Sequence, residues 1–195
     1  MTKEIWIARL AVNDYRTFRQ KRWGEEEFIE GWNDLVDRFQ HEGSLADAWE
    51  EVELELFPGE PGEEEKEQQL PIPDFSNGRV TDVLNKRARQ VIEQLVAGQI
   101  EFLPLITPLG LYYEMNIQRL DCLDVQRSVV KRFKDGRIMR AIKYAFRWEL
   151  LEGQHIFWIR DLGKTPTFVS GEFRRLVEEN GLTGLKFLPV PMADD

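Results

Sequence analysis

Hydrophobic residues alternate with polar ones in several short stretches of the chain, and this is the period of a β-strand. The opening stretch EIWIARLAV places Ile5 and Ile7 on one face and Trp6 on the other, which predicts a strand. Residues 51–57, EVELELF, alternate aliphatic side chains with glutamates. They predict a half-buried strand that presents one acidic face to solvent.

Other stretches repeat hydrophobic residues at spacings of three and four, which is typical of one face of a helix. Residues 25–39 carry such a stripe, formed by Phe28, Trp32, Leu35, Val36 and Phe39. Residues 80–96 predict a second helix, with Thr81 as its cap, Asp82 in its first turn and Gly98 as its stop.

A third helix is predicted between a Ser170 cap and a Gly181 stop. Like the second helix, it is followed by the tripeptide Phe-Leu-Pro, at residues 102–104 and 187–189. In a strand, neighbouring Phe and Leu point to opposite faces, and Pro ends pairing or marks an edge because it lacks an N–H. The repeated tripeptide therefore predicts a helix-to-strand junction used twice rather than a repeated site.

Residues 127–147, RSVVKRFKDGRIMRAIKYAFR, predict a β-hairpin with Asp135 and Gly136 at its turn. The core face of its second arm is expected to comprise Ile138, Ile142, Tyr144, Phe146 and Trp148. Taken together, the strands and helices predict an α+β fold, with a mixed, largely antiparallel sheet and a few packed helices.

Residues 58–79, PGEPGEEEKEQQLPIPDFSNGR, combine prolines, glycines and like charges, and predict a mobile acidic loop. This acidic loop separates an N-terminal α/β portion, residues 1–57, from a C-terminal α+β portion, residues 80–195. We expect the two portions to pack into one compact unit, because a chain of 195 residues is long enough for one good-sized core.

The net charge of −9 is concentrated in one region. Residues 42–67 hold eleven acids and one base, a charge of −10, so the remaining residues sum to +1. The predicted hairpin, residues 127–147, holds eight bases and one acid. The chain therefore has an acidic stretch and a basic stretch.

The compartment is indicated by three features. Cys122 is a single cysteine and forms no internal disulfide. The opening stretch lacks the cleavage pattern of a signal peptide. The apolar runs are shorter than the roughly 20 residues that span a membrane. A soluble, cytoplasmic protein is predicted.

Few residues are candidates for catalysis or metal binding. Asp121 and Asp124 could divide acid and base work, although a spacing of three at a strand end favours turn and capping roles. Cys122 could pair with His41 or His155, but it lies in an apolar strand pattern that is typical of an inert buried thiol. Two isolated histidines and no clustered cysteines predict no metal site, and no motif predicts a cofactor.

The basic hairpin has two interpretations. Clustered Lys and Arg among Phe133, Tyr144 and Phe146 would suit contacts to a nucleic-acid backbone and stacking on its bases. A hairpin with one face in the core also needs a solvated face, and we favour this second interpretation.

Three stretches carry a resemblance to a known family. They are LDCLDVQRS with Asp124 and Ser128, the pair Ile156 and Phe157, and SGEFRRLVEENGLTGLKF. In the order of these stretches, residues 72–190 resemble the bacterial immunity proteins called immunity family eleven, first catalogued as a domain of unknown function. The resemblance implies a non-enzymatic cytoplasmic protein that binds and neutralises a cognate toxin of a polymorphic toxin system, used in interbacterial competition.

The acidic strand face and the acidic loop are the surface most suited to such a partner, because negative charge speeds association with a basic protein. Two tryptophans are possible aromatic anchors, although Trp32 lies on the predicted helix stripe and both fit a core as well. We expect toxin contacts among the following residues: Glu50, Glu51, Glu53, Glu55, Glu60, Glu63, Glu64, Glu65, Glu67, Trp49 and Trp32.

Overall fold

The computed structural model describes residues 4–21, 43–49, 52–78, 82–162 and 166–193. The strands of these residues are β1 Ile5–Leu10, β2 Phe18–Gln20, β3 Val52–Leu56, β4 Phe75–Asn77, β5 Asp82–Asn85, β6 Ile100–Thr107, β7 Gly110–Ile117, β8 Arg119–Leu120, β9 Val129–Arg132, β10 Ile138–Lys143, β11 Ile156–Ile159, β12 Thr167–Ser170 and β13 Leu185–Pro189. The α-helices are α1 Glu64–Gln69, α2 Lys86–Ile92 and α3 Gly171–Glu179. Single 3₁₀ turns cover Ala46–Ala48, Trp148–Leu151 and Arg160–Leu162. The predicted helix at residues 25–39 lies outside the described residues.

The described strands form three sheets. A six-stranded sheet has the order β2-β3-β6-β7-β5-β4, a five-stranded sheet the order β13-β1-β12-β11-β8, and β9 and β10 pair as a hairpin. The pairs β3·β6 and β8·β11 are parallel and the other pairs are antiparallel. The mixed, largely antiparallel pairing agrees with the prediction, but strand outweighs helix and more than one sheet forms.

Both larger sheets take strands from both ends of the chain. Strand β1 pairs with β12 and β13, and β3 pairs with β6. The portions 1–57 and 80–195 are therefore interleaved in both sheets. We propose that they fold as one cooperative unit, because neither portion holds all the strands of either larger sheet.

The two main hydrophobic clusters lie on opposite faces of the five-stranded sheet. In the first cluster, Trp158 and Val169 of that sheet pack with Met115 of the six-stranded sheet and with Phe173 of α3. The second cluster contains Phe157, with the further buried residues Tyr144, Phe146, Phe168, Ile159 and Cys122. Successive strand residues point to opposite faces, so β11, which is buried along its whole length, contributes to both clusters.

The predicted start of the second helix was wrong. Thr81 lies outside the described residues, Asp82–Asn85 is strand β5, and the helix begins at Lys86. The Asn85 side chain caps it by accepting a hydrogen bond from the Ala88 amide at 2.8 Å. Tertiary pairing overrides the local helical pattern here, since Leu84 pairs with Tyr113 of β7 in the sheet interior.

The third helix is confirmed. Ser170 Oγ accepts the Phe173 amide at 3.1 Å, and Gly181 follows the helix with φ +58°. The second Phe-Leu-Pro ends in Pro189 on β13, which is an edge strand as predicted. The first copy differs, because Pro104 lies within β6, one residue before the first described pair with β3 at Leu105.

The basic hairpin forms with Gly136 at its turn, where φ is +89°. The predicted core face of its second arm was wrong at Ile142, which is 49% exposed. Two register shifts interrupt β10, so side chains after the first shift no longer keep one parity. Tyr144 and Phe146 are buried as predicted, but they lie beyond the end of the strand.

The predicted acidic loop contains regular structure. It includes α1 and also β4, which pairs with β5 and buries Phe75. Asp74 joins this region to the chain before β13, because its carboxylate accepts hydrogen bonds from Thr183 N at 2.9 Å and Arg87 Nη1 at 2.8 Å. Burial opposes the charge, yet these bonds and one from Asn85 lower the pKa of Asp74.

Candidate partner-binding surface

The acidic face of β3 is paired with cations on the neighbouring strand. Glu55 accepts a hydrogen bond from Arg19 Nε at 2.6 Å, and Glu53 accepts one from Lys21 Nζ at 2.5 Å. The hydrogen bond and the charge of Glu53 raise the pKa of Lys21. Both acids therefore lie where the alternation predicted, but their charge is balanced within the sheet. Glu50 and Glu51 lie outside the described residues.

Two exposed aliphatic side chains extend this face across the sheet. Ile106 is in register with Glu53 on one side and with Leu111 on the other, so the three side chains share one face. Ile106 is 43% exposed and Leu111 is 44% exposed. We call this surface the open face, and it comprises Arg19, Lys21, Glu53, Glu55, Ile106 and Leu111.

The turn next to the open face is held by its own hydrogen bonds. Thr107 Oγ1 donates to the Gly110 carbonyl at 2.9 Å and accepts the Leu109 amide at 3.1 Å. Gly110 has φ +102°, a conformation that side chains disfavour. Leu109 at the tip is 46% exposed. A hydrophobic side chain is thus presented on a fixed turn, which lowers the entropy cost of contact.

The first part of the acidic loop, residues 58–70, is closed at its base against β2. Phe57 N donates to the Thr17 carbonyl at 2.9 Å, and Arg16 N donates to the Pro71 carbonyl at 3.0 Å. Five glutamates and one lysine give residues 58–70 a charge of −4. These two hydrogen bonds join both ends of the loop to the residues just before β2. The negative charge of the loop therefore lies beside β2, at one edge of the open face.

The glutamates of this loop differ in availability. Glu63 lies 3.6 Å from Lys66, and Glu64 accepts the Gly62 amide at 2.9 Å. Glu67 is half-buried, and its Oε1 is buried without a hydrogen-bond partner in the described structure. Glu60 and Glu65 are exposed and form no ion pair with any described residue. They are the most available of the predicted acidic contacts.

Trp49 is placed inward. Its indole Nε1 donates to the Pro104 carbonyl at 2.8 Å, and its ring packs against Leu45 and Leu103. Glu101 also holds this segment, because its carboxylate accepts the Leu45 amide at 2.8 Å. The structure thus ties Trp49 to β6, as the core interpretation of this residue expected. Trp32 lies outside the described residues.

The residues weighed for catalysis have structural partners. Asp121 Oδ1 lies 2.6 Å from Arg147 Nη2, and Asp124 Oδ1 accepts the amides of the turn that follows it, including Gln126 at 3.1 Å. Cys122 is fully buried, and burial raises the pKa of its thiol to about 12. A thiol with this pKa is not a nucleophile at neutral pH. His41 lies outside the described residues.

His155 lies beside a groove of about 590 Å³ that sequence analysis did not identify. Its Nδ1 is 2.9 Å from Ser170 Oγ and 3.6 Å from Glu172 Oε2. Both groups approach the same ring nitrogen, whereas a nucleophile-activating relay uses the two nitrogens separately. Ser170 also caps α3 through Phe173 N, so the cluster orders the start of this helix.

The open face was only half predictable. The glutamate alternation located β3, and the complementary cations of Phe-Arg-Gln-Lys, residues 18–21, are its matching signal. Ile106 and Leu111 were missed because the stretch from residue 102 to 115 is nearly continuously apolar and suggests burial. The glycine turn at residue 110 was the local sign that the sheet ends here.

Exposed aliphatic side chains bordered by ion pairs, on rigid strands and beside a charged loop, are typical of a protein that acts by binding another protein. The comparison with known families agrees with this class. The chain belongs to the Immunity protein family (Imm11), whose model matches residues 49–191. The family resemblance of residues 72–190 is thereby confirmed, and the match also includes the acidic strand and loop.

Family membership indicates a toxin-neutralising immunity protein. A search of curated proteins found no match to the chain. Among the described residues, no helix is long and apolar enough to cross a membrane.

Proposed function

We propose that the protein neutralises one cognate bacterial toxin by stoichiometric binding, and that the open face is the contact surface. The observation that carries this proposal is the exposed pair Ile106 and Leu111, in register with the ion-paired strand β3. An apolar centre bordered by charged side chains is the usual composition of a specific protein interface.

The apolar pair supplies the slow dissociation that inhibition requires. A free toxin acts repeatedly, so the complex has to persist, and buried hydrophobic contacts act mainly on the dissociation rate. Burying Ile106 and Leu111 contributes about 1–2 kcal/mol each, at the usual value per area of apolar surface. Leu109 at the turn adds a third contact of the same kind.

The charged groups supply speed and orientation. Residues 58–70 carry −4, and Glu60 and Glu65 are available to a basic partner surface. Complementary charge raises the association rate more than it raises affinity. The ion pairs of Glu53 and Glu55 keep those side chains in fixed positions, where Arg19 and Lys21 can also bind acids of the partner.

The same surface favours binding over the other functions weighed from the sequence. Asp121 and Asp124 have structural partners, as described above, and of the three rings of the basic hairpin Tyr144 and Phe146 are buried, which leaves Phe133 as its one exposed ring. Stacking of bases needs exposed rings. We therefore propose no catalytic role and no nucleic-acid role.

The test is to identify a neighbouring gene that encodes a toxin-like C-terminal domain and to co-express that domain with this protein. We expect the wild-type protein to restore growth and to co-purify with that domain in equal amounts. A toxin domain that remains lethal, and that does not bind the purified protein, would show that the pairing is wrong.

The charge contribution can be tested separately. Replacing Glu60, Glu64 and Glu65 by Gln is expected to slow association about threefold to tenfold at low salt, and to change dissociation little. Stopped-flow mixing at two salt concentrations would measure both rates. If the variant associates at the wild-type rate at both concentrations, the acidic loop does not steer the partner.

A further inference from the structure

The hairpin formed by β9 and β10, residues 129–143, is a second charged and apolar surface. It holds six bases and one acid, a charge of +5. Four of its large hydrophobic side chains are exposed, each by 41–49%, namely Val129, Phe133, Met139 and Ile142. It forms its own two-stranded sheet, apart from the sheet that carries the open face.

Two irregularities of β10 direct apolar side chains outward. The register with β9 shifts between Ile138 and Arg140 and again between Ala141 and Lys143. Met139 and Ile142 are the extra residues at these two shifts, and both are exposed. Ile138 and Ala141 meanwhile pack against the second hydrophobic cluster. A bulge re-aims a side chain, so this strand covers the core and still presents hydrophobic groups to a partner.

A groove of about 630 Å³ lies beside the hairpin. Its walls combine apolar and charged side chains: Val125, Ile138, Leu162, Phe133, Met139, Arg132, Arg137 and Asp161. The groove is thus lined by both apolar and charged side chains, with more positive than negative charge. A ligand that fits both features carries a hydrophobic side chain between negative groups.

Several cations of the hairpin are available to a ligand. Lys131, Lys134 and Arg140 are exposed, and they form no ion pair with any residue that the structure describes. Arg137 pairs with Asp135 at 2.8 Å within the turn. Arg140 lies between Met139 and Ile142 in sequence and pairs with Lys131 of β9, whereas Lys134 lies in the turn, so positive charge accompanies the apolar side chains along the hairpin.

The exposed hydrophobic groups favour a protein over a nucleic acid. Met139, Ile142 and Val129 are aliphatic, and aliphatic side chains do not stack on bases as aromatic rings do. Phe133 is the exposed ring of the described hairpin, and the Arg137 guanidinium lies 5.7 Å from its centroid. The hairpin therefore has the cations that a phosphate backbone needs, but it offers the bases a single ring that already lies beside an arginine.

We propose that the hairpin is a docking site for an acidic segment of a partner protein, with a hydrophobic side chain of that segment held between Met139 and Ile142. This site goes beyond the toxin contact proposed above, since it has the opposite charge and lies on another sheet. The carboxylates of the segment bind Lys131, Lys134 and Arg140 while its hydrophobic side chain contacts Met139, which lines the groove, and Ile142, the other outward-facing residue of β10.

The test uses three labelled probes of equal negative charge with the full-length protein. One is a short peptide in which glutamates flank isoleucine and phenylalanine, the second has serines in place of those two residues, and the third is a single-stranded RNA. We expect the first peptide to bind at least about tenfold more tightly than the second, because it alone buries apolar groups.

The variant Met139→Ser with Ile142→Ser is expected to remove this tenfold preference and leave binding of the serine peptide unchanged. Leu150→Ser is the matched control, because Leu150 is 44% exposed at a different surface. All three side chains compared are accessible, and circular dichroism would check that each variant is folded.

Three outcomes would overturn the proposal. Equal binding of the two peptides would reduce the hairpin to a non-specific cationic surface. Tighter binding of the RNA would assign it to nucleic acid. No binding of the first peptide at low salt would exclude the site. None of these outcomes bears on the toxin co-expression result, so failure here leaves the proposed function standing.

Discussion

The two larger sheets use their faces differently. The five-stranded sheet is covered on both faces, and all four residues of β11 are buried. The six-stranded sheet is covered where Tyr113 and Met115 meet the first cluster, but the same face becomes exposed at Leu111. The five-stranded sheet therefore forms the stable centre of the fold, whereas one end of the six-stranded sheet is accessible to a binding partner.

The largest effect is expected in the covered sheet. Phe168→Ala should lower the free energy of unfolding by about 3–5 kcal/mol, because a large buried side chain leaves a cavity. Phe168 is fully buried and stacks on Phe157 with ring centroids 5.5 Å apart. Urea denaturation would measure the loss. A loss below about 1 kcal/mol would mean that this sheet is not the stable core.

The next effect concerns the connection between the sheets. Asp74→Ala should cost about 2–3 kcal/mol, because Thr183 and Asn85 lose a hydrogen-bonded carboxylate. The pKa of Asp74 is lowered on folding, so its contribution is present above its ordinary pKa and is lost as pH falls through the folded value.

Acid denaturation followed by fluorescence would therefore compare the two proteins. The wild type should lose more stability than Asp74→Ala as the pH falls below about 4. Parallel curves would show that Asp74 does not carry this dependence.

A smaller effect concerns two acids of the six-stranded sheet, the half-buried Asp82 and the buried Glu114. Burial and the nearby charge of Glu114 raise the pKa of Asp82 to about 7. A raised pKa stabilises the fold at low pH, so this contribution is lost as pH rises towards and through 7. Asp82→Asn should flatten that decline and be more stable than wild type at pH 8 by roughly 1–3 kcal/mol.

Urea denaturation of both proteins at several pH values between 5 and 8 would measure this. Wild-type and variant stabilities that stay a constant distance apart across the range would contradict the assignment to Asp82.

The smallest effect is expected on the open face. Lys21→Gln should leave the midpoint of thermal unfolding almost unchanged, because its ion pair with Glu53 is exposed. The effect should vanish at high salt. Thermal unfolding at two salt concentrations checks this. A clear loss of stability that persists at high salt would mean that this face serves the stability of the fold.

Local patterns predicted the elements whose causes are local. The Ser170 cap, the Gly181 stop and the turn at Gly136 each depend on a few neighbouring residues, and each is present. The predicted start of α2 was wrong, because Leu84 pairs with Tyr113 of another strand and so belongs to the sheet. The predicted burial of Ile142 was wrong, because the bulges of β10 depend on its pairing with β9, which the alternation of residues does not encode.

The candidate site shows the same limit. Alternation located Glu53 and Glu55, but Arg19 and Lys21 lie more than thirty residues away in sequence and meet them only through strand pairing. These two cations neutralise the negative charge of Glu53 and Glu55, which the sequence alone suggested was free to bind a partner. Exposure of Ile106 likewise depends on how far the first hydrophobic cluster extends over this face of the sheet.

The central claim is that the open face binds the toxin, and calorimetric titration of the toxin domain tests it most directly. Ile106→Ser with Leu111→Ser should weaken affinity by about 10–100-fold. The control Leu188→Ser, which is 39% exposed on edge strand β13, should bind as the wild type does. Equal affinities for all three proteins, each folded, would contradict the account.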